Sequence, residues 1–315
     1  MESIKPIARE LFGLEFGSEV AFHNLSMLPL APRQARPETA PSYATLDESL
    51  ALGLVEITEI SDAGSVPELR VVNRGDRPTL IVDGQELIGA KQNRIVNLTI
   101  LVPAQTMLTI PVSCVEAGRW SARSRAFAAA PRTQYATGRA KRMAQVSDAM
   151  REHGARHADQ ADIWNDIALK SERLNARSET GAMDAMFLDH ASFIEKAVEA
   201  LPAVPKQTGA LFAVSGRLLG FDLFDSPSTL RKLLPKLIRS SAVDALDSAL
   251  VAPRRRKKST LSAEAEQFFA ALSAAPAQRA RALGQGEDVR ITAPGLTAAA
   301  LLDNDAVIHL SAFRL

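Results

Sequence analysis

The stretch Lys91–Trp120, KQNRIVNLTILVPAQTMLTIPVSCVEAGRW, consists of two apolar runs around a turn, with polar residues at both ends. Val96, Leu98, Ile100 and Val102 form one uniformly apolar face, with Asn97 and Thr99 on the other. Leu108, Ile110, Val112 and Cys114 do the same in the second run. A period of two marks a strand, and two such runs joined at Pro103-Ala104-Gln105-Thr106 read as a β-hairpin. Residues opposite each other in a hairpin share a face, so even-numbered positions pair with even-numbered ones. The shortest such register sets Val102 against Leu108 and extends through Ile100–Ile110, Leu98–Val112 and Val96–Cys114 to Arg94–Glu116. Gln92 continues the same face. The polar ends therefore prolong the inward stripe.

An inward Arg–Glu pair has two readings. It is a structural salt bridge closing the end of a sandwich, or the polar floor of a pocket whose Arg fork holds a carboxylate or phosphate. Glu86, just past the Asp83-Gly84 turn, belongs to the same end, as do Arg119 and Trp120. Trp120 supplies either a flat apolar wall or a core aromatic. Cys114 reads as a small core residue, since a nucleophilic thiol needs a base and no His lies near it in sequence.

Upstream, VAFHNLSMLPL, LVEITEI, ELRVVN and TLIVDG are strand-like. TLDESLALGL reads as a short helix, with Thr45 and Glu48 at capping-box spacing and Gly53 near its end. Downstream, SARSRAFAAAPRTQYATGRAKRMAQ carries six Arg or Lys and no acid, and reads as an exposed loop. Helical segments are expected at about 142–175 and 181–201. GALFAVSGRLLGFDLF returns to strand, PSTLRKLLPKLIRSSAVDALDSAL is helical with a bend at Pro235, and SAEAEQFFAALSAA is a further helix. DVRITA and AVIHLSAF are terminal strands. The expectation is an α+β fold, an antiparallel β-sandwich or jelly-roll-like sheet with helical insertions, in which late strands rejoin the early sheet. The chain reads as a single domain over 1–315. Within it lie a β-rich core at 20–120, a helical insertion at 140–202, a β-hairpin plus helices at 207–275 and terminal strands at 288–314.

Other candidates carry less. His153 and His157 are four apart, without the intervening Glu of a zinc-protease helix and with only five His in the chain, so no metal site is expected. Asp222 and Asp225 at a strand exit read as caps for the following helix rather than as an acid–base pair. The basic run Arg254–Lys258 reads as solvated. P-loop, dinucleotide-binding, nucleophile-elbow and Cys-based zinc patterns do not occur, so no cofactor is expected. A net charge of +1 argues against a nucleic-acid binder acting through its overall field. The N-terminus has no apolar run of signal-peptide type, no stretch approaches a membrane span, and one cysteine suits a reducing compartment. These features read as soluble and cytoplasmic.

VDGQELIGAKQNRIVN, IPVSCVEAGRW, IWNDIALKSERLNARSETGAM and GALFAVSGRLLGFDLFDSPSTLRKLLPKLIRSSAVDA occur in this order. Together they resemble the ARPP domain family, proteins associated with ADP-ribosylglycohydrolases and rhodanese-phosphatases. The resemblance implies a bacterial protein of uncharacterised function, linked by association to ADP-ribose or NAD-derived metabolism. It matches Glu86, Gln92, Arg94, Cys114, Glu116, Arg119, Trp120, Trp164, Asp222, Phe224 and Asp225 as motif residues, and it brings no catalytic role to any of them. Three functions follow as expectations. The first is binding of a small anionic ligand by Glu86, Gln92, Arg94, Glu116, Arg119 and Trp120. The second is hydrolysis at the same site with Glu86 or Glu116 as general base. The third is a protein-interaction scaffold in which the Arg94–Glu116 pair is purely structural.

Overall fold

The computed structural model describes residues 4–34, 40–61, 64–250 and 260–315. The basic run Arg254–Lys258 lies outside the described residues. Helix α1 (Lys5–Phe12) leads into strands β1 (Leu14–Phe16), β2 (Val20–Phe22), β3 (Leu25–Pro32) and the two-residue β4 (Ala44–Thr45). Helix α2 (Leu46–Ala51) starts at the expected capping box, with Thr45 and Glu48 each bonding the other's backbone amide. Eight strands follow: β5 (Val55–Glu59), β6 (Glu68–Asn73), β7 (Thr79–Ile81), β8 (Gln85–Gly89), β9 (Arg94–Val96), β10 (Ile100–Val102), β11 (Thr106–Cys114) and β12 (Phe127–Thr133). Four helices come next: α3 (Ala136–His153), α4 (Gln160–Arg173), α5 (Asp184–Asp189) and α6 (Ala191–Ala200). The chain closes with β13 (Gly209–Val214), β14 (Arg217–Phe224), α7 (Pro227–Leu250), α8 (Leu261–Ala274), β15 (Ala277–Arg281), β16 (Glu287–Ala293), β17 (Leu296–Asp303) and β18 (Ala306–Arg314).

The fold is α+β, and its sheets are antiparallel except for the short parallel β4–β7 pair. The largest sheet runs β1-β3-β13-β14-β18-β17-β16-β15, with β2 also on β3. The late strands thus rejoin the earliest ones. Strand β13 shows how this sheet is held. Ala210, Phe212 and Val214 face the core beneath α4–α7, while Leu211 and Ala213 face the core beneath α1 and α8. Both faces are covered, so the strand reads as an unbroken apolar run. The second sheet runs β12-β8-β9-β11-β6-β5, and the third runs β10-β7-β4. Their apolar faces share a third core that includes Ile57, Val71, Ile81, Leu87, Val96, Ile100 and Val112.

The expected hairpin does not form. Residues 94–102 divide into β9 and β10, and β10 pairs with β7. The first part of β11 pairs with β6, and only its end meets β9, with Val112 opposite Val96 and Cys114 opposite Arg94. The break lies at Asn97–Thr99, whose side chains bond distant groups instead of following a ladder. Asn97 donates to the Arg156 carbonyl and accepts from Ser113, and Thr99 bonds His309. The true register is displaced by two residues from the expected one, so every side chain keeps its face but changes its partner.

The expected exposed loop after Ser121 is also corrected. It contains β12 and the first half of α3, and Arg132, Arg139 and Arg142 are buried in it. Helix α3 stops at His153, where Gly154 takes a left-handed conformation (φ 69°). His153 and His157 therefore do not share a helix face. Helix α7 runs unbroken through Pro235.

Candidate anion site and a buried charge network

Arg94 ends the inward stripe of the second sheet and is fully buried. Its Nη1 donates to Gln92 Oε1 at 2.8 Å, while Nε and Nη2 have no hydrogen-bond partner. Among the described residues it makes no ion pair. Burial lowers its pKa from the ordinary guanidinium value, and the nearby acidic side chains Glu59 and Glu116 only partly offset this. The unpartnered Nε and Nη2 form one edge of the guanidinium, the edge that grips a carboxylate or phosphate with two parallel bonds. The Trp120 ring covers this group, its centroid 5.6 Å from Arg94 Cζ. Trp120 is 47% exposed, so it is a cover at the surface and not a core aromatic.

The expected Arg94–Glu116 pair is not made. Glu116 accepts instead from the Asn93 amide (3.1 Å), Arg119 Nη2 (2.6 Å) and Thr180 Oγ1 (2.8 Å). Burial works against its charge, yet the bonds from Arg119, Asn93 and Thr180 hold its pKa below the usual carboxylate value. Arg119 also donates to the Ala90 and Ser121 carbonyls and to Asn93 Oδ1. Gln92 Nε2 donates to the Glu116 carbonyl, which joins the two halves of the cluster. Cys114 is buried opposite Arg94, and burial pushes its thiol pKa up against the smaller pulls of the Glu116 amide and Arg94.

Glu86 is separated from Arg94 by the sheet itself. Glu86 pairs with Ile95, and Leu87 pairs with Arg94, so the Glu86 side chain lies on the opposite face. There it bonds Arg132 Nε at 2.6 Å, leaving Oε1 without a partner, and Arg132 stacks over Phe187. Burial raises the Glu86 pKa despite Arg132. Of the six candidate residues, Gln92, Arg94 and Trp120 gather at one point. Glu116 and Arg119 form a bonded buttress beside them, in which only Arg119 Nε lacks a partner, and Glu86 belongs elsewhere.

A second polar group joins residues that the sequence pattern assigns to a loop, a turn and a cap. Arg139 Nη2 donates to Asp83 Oδ1 and Asp222 Oδ1, both at 2.7 Å, and Nη1 donates to Asp222 Oδ2 at 3.0 Å. Arg142 donates to Asp83 Oδ2 (3.0 Å), Gln134 Oε1 (2.9 Å) and the Val96 carbonyl (2.9 Å). Burial opposes the charge of both carboxylates, but Arg139 and Arg142 hold the Asp83 pKa well below its ordinary value, and Arg139 with His309 lowers that of Asp222. His309 completes the group: Nδ1 lies 2.7 Å from Thr99 Oγ1 and Nε2 lies 3.1 Å from Asp222 Oδ1. Thr99 Oγ1 also accepts the Asp83 amide proton, and because the ionised Asp222 oxygen can only accept, His309 donates to it from Nε2. Gly84 makes room for Arg139, since a Cβ there would stand 2.9 Å from Arg139 Cγ and Cδ.

Asp222 thus serves this network and does not cap α7. Ser226 fills that role by accepting the Ser228 amide, and Asp225 accepts the Tyr43 hydroxyl instead. Ligand atoms of Asp83, Asp222 and His309 fall within 4.8 Å of one another, a spacing that suits a cation. The Arg139 guanidinium already lies between the two carboxylates and supplies that charge. A void of about 10 Å³ lies beside Arg139, Asp222 and Phe313, about the room of one water. Together these contacts tie α3 to the largest sheet through Asp222 and to the second sheet through the Val96 carbonyl, with Asp83 in the turn before β8.

Residues 13–313 match the model of the ARG and Rhodanese-Phosphatase-superfamily-associated Protein domain, ARPP-1. The chain belongs to the ARPP-1 family. Neither a curated protein nor a solved structure matches it. The match spans both polar groups, so the Arg94 cluster and the Arg139 network both belong to the family's domain. Among the described residues, no helix is long and apolar enough to cross a membrane.

Proposed function

We propose that the protein binds a small anionic ligand through Arg94, beneath Trp120. One observation carries this reading: a fully buried guanidinium whose Nε–Nη2 edge faces no acceptor. A buried charged donor left unmatched costs about 1–3 kcal/mol or more, and an incoming carboxylate or phosphate removes that cost with two charge-assisted bonds. Gln92 holds the other side of the guanidinium, and the Glu116–Arg119 buttress fixes the loop that carries Trp120. Access requires displacement of Trp120, which its exposure permits. The family's association with ADP-ribosylglycohydrolases puts ADP-ribose and NAD-derived anions in the first set of ligands to test.

The hydrolytic reading has less support. Glu116 is saturated with donors and held ionised at low pKa, and Glu86, whose pKa is raised, lies on the other face of the sheet. The binding reading is tested by thermal shift and calorimetry with acetate, phosphate, ADP-ribose and NAD at millimolar concentration, on the natural chain and on Arg94→Met. Binding that is lost in Arg94→Met is the expected result. Binding that survives the substitution, or no binding by any of these anions or the amino acids considered next, overturns it.

A further inference from the structure

We infer that the anion held at Arg94 is one end of an amino-carboxylate, a small molecule bearing an ammonium group close to its carboxylate. The inference rests on the reading of Arg94 as an anion site and narrows its ligand. Glu59, the last residue of β5, supplies the second half of the site. Its Oε1 accepts the Lys91 amide at 3.3 Å, and its buried Oε2 has no partner. The chain at Gly64 closes over this point: a Cβ built there would stand 3.3 Å from Trp120 Cζ2 and 3.4 Å from Glu59 Oε2. Glu59 Oε2 and the Arg94 guanidinium thus border the same indole, as does Lys91, whose Nζ stands 5.4 Å from the ring centroid. They attract one another, yet they form no ion pair.

An unmatched pair of donors and an unmatched anionic acceptor therefore lie beside one half-exposed aromatic ring. Their complement is a molecule with both charges. Its carboxylate takes the Nε–Nη2 edge of Arg94, and its ammonium donates to Glu59 Oε2. Its hydrocarbon part packs on Trp120. Such a ligand is neutral overall and matches the opposite charges of Arg94 and Glu59. A phosphate would satisfy Arg94 but bring further negative charge against Glu59. A simple amine would satisfy Glu59 but bring positive charge against Arg94. The pair thus selects for a zwitterion by repelling both alternatives.

The test is calorimetric titration of the full chain with alanine, propionate, ethylamine, phosphate and ADP-ribose. Alanine is expected to bind roughly ten-fold or more tightly than propionate, the difference of one charge-assisted hydrogen bond. Glu59→Gln is expected to reduce this preference to about two-fold or less while propionate binding persists, and Arg94→Met to abolish both. Equal or tighter binding of propionate, or a preference for phosphate or ADP-ribose that depends on Arg94, overturns the amino-carboxylate assignment and leaves the anion site standing. No Arg94-dependent binding of any of these ligands overturns both.

Discussion

Arg94→Met and Arg139→Met exchange the same residue type for the same apolar one at two fully buried positions, and they should differ sharply in stability. Arg139 is the main partner of two buried carboxylates, with bonds of 2.7, 2.7 and 3.0 Å. Removing it leaves Asp222 with only His309, while Asp83 keeps Arg142 and Ser311. Breaking a buried ion pair from one side costs about 3–5 kcal/mol. Arg94→Met loses one charge-assisted bond to Gln92, about 1.5–3 kcal/mol, and an aromatic contact with Trp120 of about 0.5–1 kcal/mol. It also relieves the desolvation of two unpartnered nitrogens, about 1–3 kcal/mol each. These contributions nearly cancel, so Arg94→Met should lie within roughly 2 kcal/mol of the natural chain. Urea denaturation read by tryptophan fluorescence and circular dichroism measures both. At about 2–3 °C per kcal/mol, melting should fall by roughly 6–15 °C for Arg139→Met and by a few degrees at most for Arg94→Met. If Arg94→Met destabilises the protein as much as Arg139→Met does, the free edge of Arg94 has a native partner and the ligand site is misread. If Arg139→Met is silent, the network does not tie the sheets together.

Four further outcomes are expected. Asp225 is buried against Tyr43 and its pKa is raised to about 6 from 3.8, so the native state holds a proton that the unfolded chain has already released. This group therefore favours the folded protein at low pH, and its contribution falls as pH rises from about 4 to about 6; Asp225→Asn should remove that slope from stability measured across the range. Asp83 and Asp222 act in the opposite sense: their pKa values are depressed, so their stabilisation is present above pH 3.8 and is lost as pH falls further. Gly84→Ala forces a Cβ to 2.9 Å from Arg139 at φ 75°, and chemical denaturation should show a loss of about 2 kcal/mol or more. Glu116→Ala removes the acceptor of Arg119, Asn93 and Thr180 and should cost roughly 3 kcal/mol. A melting temperature unchanged in Glu116→Ala would mean that Glu116 is not the buttress described.

Which parts of this were legible in the sequence follows from the range of the interactions. The burial of Arg94 followed from parity alone, because alternation fixes the face of a strand residue whichever strand lies beside it. Its partner did not follow. A two-residue slip preserves parity, so Arg94–Glu116 and Arg94–Cys114 fit the hydrophobic pattern equally well. The choice was made by Asn97 and Thr99, whose bonding partners Arg156 and His309 lie 59 and 210 residues away. The capping box at Thr45 was legible because all its bonds close within three residues.

Arg139 and Arg142 are the instructive failure. A run of six cations without an acid reads as a solvated loop, because the balancing carboxylates Asp83 and Asp222 lie 56 and 83 residues from Arg139. One local signal was present. Ala136, Ala140, Met143, Val146 and Met150 recur at helical spacing, and Arg139 and Arg142 fall on that apolar stripe. A cation on the buried face of a helix implies a buried anion on whatever packs against it. Asp83 and Asp222 then stop being a turn residue and a cap and become the partners that Arg139 and Arg142 require. Applied to Arg94, the same rule finds no carboxylate bonded to it among the described residues, and that difference separates a completed structural network from the proposed anion site.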